Sequence, residues 1–337
     1  MKARLISFVV SQTPKIRAGK ELEAKIIQSA PQYYEESMPK QFNLGQEKKK
    51  VGEREITFFI RGYQPDSLLV ETSVEVDDVF SDKTFALREQ LIDTCHKIAK
   101  ERGGNFDLSE EYSLAVVYDY QGDPEQFLSR SNDIVAFLKS EKLPLDEKEI
   151  EYTIESQIKY AKDDLVIVDW DGAFIFEPQG QIEAIVDLFQ LANLQLLRYR
   201  NLDRDLDNRL LKTSKLTQMT SRKSLKRRAL AEAFKETIAI RSQSIAEFEA
   251  TDRDIKLIGD WYSARLYDLI SKKFKLNEWQ KSIKEKLDSL EDVYSIITEN
   301  FSVSRHQYLE YVQIILFFVL QVGWLVLIIL ELFYYTR

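Results

Sequence analysis

Apolar and polar residues follow two rhythms along this chain, and the change comes near Pro178. Before it, short runs rich in β-branched and aromatic residues predict strands. These are Leu5–Val10, Glu55–Arg61 (EITFFIR), Ser67–Val76 (SLLVETSVEV) and Ser113–Tyr120 (SLAVVYDY). Glu149–Ile158 alternates and is also expected to be a strand, whereas the charged stretch Gln46–Val51 (QEKKKV) reads as a solvated connection. Leu165–Val168 and Ala173–Phe176 flank DWDG, which predicts a hairpin with an Asp-Gly turn. Between these runs, Phe85, Leu87, Leu91, Ile92, Cys95 and Ile98 give helical spacing over Thr84–Arg102, stopped by Gly103–Gly104. A second helix is expected over Glu125–Lys142. Residues 1–180 therefore read as an α+β domain with mainly antiparallel pairing.

After Pro178 there is no proline, and Gly259 and Gly323 are the only glycines from about Gln181 onward. Gln181–Leu216 has the spacing of a long amphipathic helix, and further helices are expected over about 225–249 and 253–273. Leu276, Trp279, Ile283, Leu287, Leu290, Tyr294, Ile297 and Phe301 then recur at intervals of 3, 4, 4, 3, 4, 3 and 4. This is a heptad stripe with one four-residue stutter, the signature of a coiled-coil hairpin region over 181–310. Its antiparallel partner is expected to be the preceding helix. No breaker separates Phe301 from the apolar segment at the end of the chain. One helix of roughly 60 residues, about 90 Å at 1.5 Å per residue, is therefore predicted from near Lys273 onward.

The end of that helix is apolar on every side. From Tyr311 to Tyr335 the chain reads YVQIILFFVLQVGWLVLIILELFYY, with Glu331 its one ionised residue. About 20 apolar residues suffice to cross a hydrocarbon core of about 30 Å. Tyr308, Tyr311, Tyr334 and Tyr335 suit the two aromatic belts. A core helix this long would still expose one side to water, and this segment has no polar face to turn there. A transmembrane helix at 311–335 is the expectation. Near its middle, Gln321 can hydrogen-bond to a neighbouring helix and Gly323 permits close approach, which predicts self-association.

Composition narrows the chemistry. The 337 residues suggest about two domains, and a net charge of −8 argues against a general nucleic-acid binder. Cys95 is the one cysteine, so no internal disulfide forms, and it reads as a small core residue. His96 and His306 are far apart, and no zinc-ligand spacing is present. Met1–Arg4 is basic, but the apolar run after it is too short for a signal-peptide core, and Glu21 and Glu23 argue against a transit peptide.

Two charge clusters invite a ligand. Asp163, Asp164, Asp169 and Asp171 could hold a metal ion, but the calcium-loop pattern fails. With Gly172 as the turn glycine, Ile167 would fall at the first ligand position and Pro178 at the last. The simpler reading is turn and edge acids on a hairpin. Arg222, Lys223, Lys226, Arg227 and Arg228 form the best hint of an anionic partner, lipid or RNA, although no aromatic residue interleaves them to stack bases. GKELEAK at Gly19 lacks the preceding glycine and the Ser/Thr of a phosphate loop, and no GxSxG, HExxH or GxGxxG occurs. Nothing singles out an enzyme, and no cofactor is expected.

The order of parts resembles the family named "required for meiotic nuclear division", also called domain of unknown function 155. The resemblance rests on DDLVIVDWDGAFIFEPQGQIEAIVDLFQLANLQLL and on the stretch from Trp261 through LYDL to LEYVQIIL, and covers about residues 110–335. In place of an alanine-rich helix start this chain has FQLANLQLL. The resemblance implies an α+β domain, a helical hairpin and one C-terminal membrane helix. It also implies an oligomer in the inner membrane that supports organellar translation, and it carries no catalytic residues. In layout the chain is also similar to CorA-type magnesium channels. Those need two membrane helices and a Gly-Met-Asn loop, whereas Gly323 here is followed by Trp324 and Leu325. Together these features predict a non-enzymatic, C-terminally anchored scaffold. It would form a homo-oligomer, with its body on the cytoplasmic side, or the matrix side in an organelle, and an unidentified protein or RNA partner. The alternatives are a subunit of a CorA-like divalent cation channel and a membrane-tethered metal-dependent hydrolase.

Overall fold

The computed structural model describes residues 1–14, 20–22, 41–220 and 261–335, with scattered positions between 235 and 249. Among the described residues nine strands form one sheet: β1 (Lys2–Gln12), β2 (Lys20–Leu22), β3 (Gln41–Val51), β4 (Arg54–Tyr63), β5 (Ser67–Val76), β6 (Ser109–Tyr118), β7 (Gln157–Ile158), β8 (Leu165–Val168) and β9 (Gly172–Phe176). Their order is β2-β3-β4-β5-β1-β6-β9-β8-β7. Every neighbouring pair is antiparallel except β6 and β9. The helices are α1 (Asp82–Glu101), α2 (Ser131–Leu138), α3 (Glu147–Ile154), α4 (Glu183–Thr220), α5 (Trp261–Lys273) and α6 (Leu276–Tyr335). The α+β region followed by helices is as the sequence predicts.

Alternation along the strands sends two sets of side chains to opposite faces. Leu5 and Val9 of β1, Phe58 and Ile60 of β4, and Phe174 and Phe176 of β9 share one apolar core with Leu91, Cys95 and Ile98 of α1. Helix α1 starts where the Ser81 hydroxyl accepts from the Thr84 amide at 3.3 Å. It stops at Gly103, whose φ of +91° lets the Gly104 amide reach back to the Ala99 carbonyl at 2.7 Å. The second face carries Phe8, Tyr112 and Glu71, and α4 lies over it. The ring of Phe189 stacks on Tyr112 at 5.2 Å, and Gln190 donates to Glu71 at 2.5 Å.

Three expectations change. Gln46–Val51 is part of β3, not a connection. Lys48, Lys49 and Lys50 pair in register with Thr57, Ile56 and Glu55, and the chain turns at Gly52, with φ +59° at the first central position of a two-residue hairpin. Lysines along an outer strand discourage pairing with other chains, so their charge did not mean a loop. Glu149–Ile158 is mostly helix α3. Asp146 caps it by accepting from Lys148, and Glu147 and Glu149 sit in the first turn, where the helix dipole favours acids. Finally, Glu125–Lys142 divides into a 3-10 turn over Pro124–Arg130 and the short α2.

The chain divides into two compact units. One comprises Met1–Asp205 with Ala246–Lys284, and the other Leu206–Ile245 with Glu285–Arg337.

Candidate functional site

The longest helix carries the most distinctive surface. Within α6, Leu309–Leu332 forms a 24-residue span whose most apolar 18 residues have a mean hydropathy of 2.6, none of them buried among the described residues. At 1.5 Å per residue it extends about 36 Å, enough to cross a membrane. Trp324 is 68 % exposed and Phe318 65 %, values that water would penalise on a soluble helix.

The stripe that precedes this span is placed in part. Leu276, Ile283 and Leu290, seven residues apart, are buried, while Trp279 and Leu287 are half-buried. The side chains of Tyr294, Ile297 and Phe301 lie outside the described residues. Two side chains of this stretch reach α4, and residues 251–260, where the preceding helix is expected to begin, lie outside the described residues. Ser282 donates to Asp203 at 2.9 Å, and Lys286 pairs with Asp207 at 2.6 Å. Both partners advance by four residues together, so α4 and α6 run parallel here. The chain breaks between α5 and α6 at Phe274 and Lys275, Lys275 with φ +51°.

Gln321 and Gly323 also separate. Residues two apart on a helix point about 200° from each other, so one contact face cannot hold both. A Cβ on Gly323 would meet nothing within 4 Å.

The four aspartates do not converge. Asp163 and Asp164 precede β8, and Asp169 and Asp171 follow it, at the other end of the strand. Asp164 accepts from the amides of Tyr160 and Ala161 at 2.8 and 2.9 Å, which makes it a turn acid. Asp169 is buried between Lys139 (3.3 Å) and Lys273 (3.4 Å), and its backbone carbonyl accepts from Tyr112. Burial raises the Asp171 carboxyl, against the opposing pull of Arg88. Among the described residues no group of three metal-ligating side chains is found. Gly172 does not supply turn conformation either, since its φ is not positive. It is the first residue of β9, and a Cβ there would sit 3.0 Å from the Ser113 carbonyl and 3.4 Å from the Phe137 ring. The basic residues Arg222, Lys223, Lys226, Arg227 and Arg228 lie outside the described residues.

Sequence reasoning missed a set of polar groups inside the first unit. Arg61 donates to Glu71 (2.6 Å) and Gln190 (3.0 Å) between β4, β5 and α4. Gln195 links the hydroxyls of Tyr199 and Tyr267. Arg88 of α1 is 5 % exposed, lies over the Phe137 ring, and donates to the carbonyls of Phe137 and Asp171. It ties the end of α2 to the β8–β9 turn, and burial lowers its pKa. Burial likewise pushes the Cys95 thiol up, in keeping with a core residue. A signal was available: Arg61, Glu71 and Glu110 each put a charge within a strand. Each of these side chains has at least one partner, although the buried Arg61 Nε has none, and such paired groups inside a core help to specify one structure.

Glu110 adds a pH dependence. Burial pushes its carboxyl up to about 7 from 4.5, against the paired Arg200 guanidinium, and the neighbouring Glu111 also raises it. Below pH 4.5 the group is protonated in folded and unfolded chains alike, and its contribution is fully present. Between 4.5 and about 7 the unfolded chain releases the proton first, so stability falls as pH rises. Thermal melts of wild type and Glu110→Gln across this window should diverge in favour of the variant as pH rises. A constant difference would contradict the assignment.

A family profile described as "Uncharacterized protein MJ0711, N-terminal domain" matches residues 11–183. The chain belongs to this family. It is 26 % identical over 270 residues to "Uncharacterized protein MJ0711" of Methanocaldococcus jannaschii, covering 80 % of each chain. No solved structure matches. This family replaces the two resemblances drawn from the sequence. The match to the MJ0711 family takes in residues 110–183 of the stretch that resembled the meiotic-division family, and neither that family nor the CorA type is supported. What those resemblances shared with this chain was an order of parts, which unrelated α+β proteins with a long terminal helix also have.

Proposed function

We propose that this protein is a non-enzymatic membrane tether. Its span at Leu309–Leu332 crosses the bilayer and holds the sheet-bearing unit on the cytoplasmic side for a partner. One observation carries the reading: a continuous helical span of 24 residues, with a mean hydropathy of 2.6 over its most apolar 18, is not covered by any of the described residues. A core helix of comparable composition would be buried. Arg305, four residues before the span, agrees with the positive-inside bias and favours this sidedness. The non-enzymatic part of the reading is supported by the dispersed aspartates and by the partners of the buried polar groups.

Cysteine accessibility tests the crossing. Cys95, the one native cysteine, is first replaced by alanine so that it adds no signal once the chain is unfolded. In membranes isolated from expressing cells, Leu320→Cys, at the middle of the span, should react with a membrane-impermeant maleimide only after the bilayer is dissolved and the chain unfolded. Ser289→Cys, on an exposed position of the same helix, should react at once in inside-out vesicles. Equal reaction at the two positions in intact vesicles would contradict the proposal.

A further inference from the structure

The polar side chains of the span are not scattered around it. Between Leu309 and Leu332 the helix is continuous, and its hydrogen-bonding side chains are Glu310, Tyr311, Gln313, Gln321, Trp324 and Glu331. A helix turns about 100° per residue. With Glu310 at zero, Gln313 and Glu331 fall at about 300°, Trp324 at about 320° and Gln321 at about 20°. Five of the six lie within an arc of about 80° that runs the full length of the span. The exception, Tyr311, lies at the end of the span, where an aromatic hydroxyl meets headgroups. The rest of the circumference is apolar, apart from Gly323.

In hydrocarbon an amide without a partner is costly, and polar side chains of membrane helices turn toward other helices. Every position of the span is exposed in the single chain, so nothing within the described residues covers this stripe. We propose that a second copy of this chain covers it, in a parallel pair with the stripe as the seam. This rests on the reading that the helix spans the bilayer. Copies inserted with the same orientation are related by an axis along the membrane normal, which sets each stripe residue against its own counterpart. The interior of the stripe suits that symmetry. Gln313 and Gln321 carry primary amides, each both donor and acceptor, and so each is complementary to itself. No charged residue lies between Glu310 and Glu331 to call for an oppositely charged, different partner. The two glutamates lie one residue in from the ends of the span, where water can reach them and moderate their repulsion.

Disulfide scanning of the full chain in membranes tests this while leaving both glutamines in place. Phe317→Cys and Ile328→Cys fall on the stripe, at about 340° and 0°. Val319→Cys and Val326→Cys fall opposite, at about 180° and 160°. Mild oxidation should give a dimer of the chain several-fold more abundant at the first two positions than at the others. Adding Gln313→Leu and Gln321→Leu to Phe317→Cys should raise the dissociation constant about tenfold, the effect of two lost interhelical hydrogen bonds. Membrane-retained protein that cross-links equally around the helix, does not cross-link, or joins a chain of different mass overturns the pairing and leaves the anchor intact. Protein absent from the membrane fraction overturns both.

Discussion

Tyr112→Ala should cost the sheet-bearing unit about 3–5 kcal/mol, the range for deleting a fully buried aromatic side chain. Tyr112 is 1 % exposed, and its ring meets three others: Phe8 of β1 at 6.0 Å, Phe189 of α4 at 5.2 Å and Phe274, between α5 and α6, at 5.4 Å. Its hydroxyl donates to the Asp169 carbonyl at 2.8 Å, which fixes the β8–β9 turn from below. Burial holds the phenol far above its ordinary pKa, so it remains a donor across the accessible pH range. One side chain thus joins a central strand, the covering helix, the α5–α6 junction and the hairpin turn. Truncation leaves a cavity bounded by three rings and removes a partner from a carbonyl. Tyr112→Phe keeps the rings in contact and should lose only about 1 kcal/mol, the net worth of one hydrogen bond. Urea denaturation followed by circular dichroism separates the two variants. Equal, small losses would mean that the ring cluster does not hold these elements together.

That cluster was not legible in the sequence, whereas its frame was. Ser67–Val76 and the β8–β9 hairpin emerge with their predicted bounds, or within one residue, because the strand rhythm is strong there, although Gly172 belongs to β9 and not to the turn. Helix α1 was equally clear, since apolar spacing and two stopping glycines point the same way, and the structure adds the Ser81 cap. The failures have local causes. In β3 three lysines hid a strand, because charge at a sheet edge serves to prevent aggregation and not to break structure. In α3 an eight-residue segment fits both periods, and only the cap at Asp146 decides between them. Pairing between distant elements was out of reach. Arg61 is 129 residues from Gln190, and Asp203 is 79 residues from Ser282, so no local pattern announces either contact.

The candidate site divides the same way. The apolar span was evident from composition alone, and its structure adds that no other part of the described chain covers it. Gln321 was recognised, but its pairing with Gly323 ignored the turn of the helix. The alignment of Gln313, Gln321 and Trp324 needed that turn to be followed along the whole span. The aspartates looked like one cluster because β8 has only four residues. A strand nevertheless advances about 3.3 Å per residue, which carries its two ends about 10 Å apart and the aspartates beyond them further still.

The largest expected effect is on where the protein resides. Deleting residues 306–337 removes the whole apolar span and leaves the sheet, its covering helices and the paired stretch of α4 and α6 intact. A span of about 20 apolar residues is the element that holds a single-pass protein against extraction, since peripheral contacts dissolve at alkaline pH. The direct measurement is alkaline carbonate extraction of membranes from cells making either the full chain or the deletion. The full chain is expected in the carbonate-resistant pellet and the deletion in the soluble fraction, folded by circular dichroism. A full chain released by carbonate, or a deletion that stays in the pellet as folded protein, would contradict the membrane anchor.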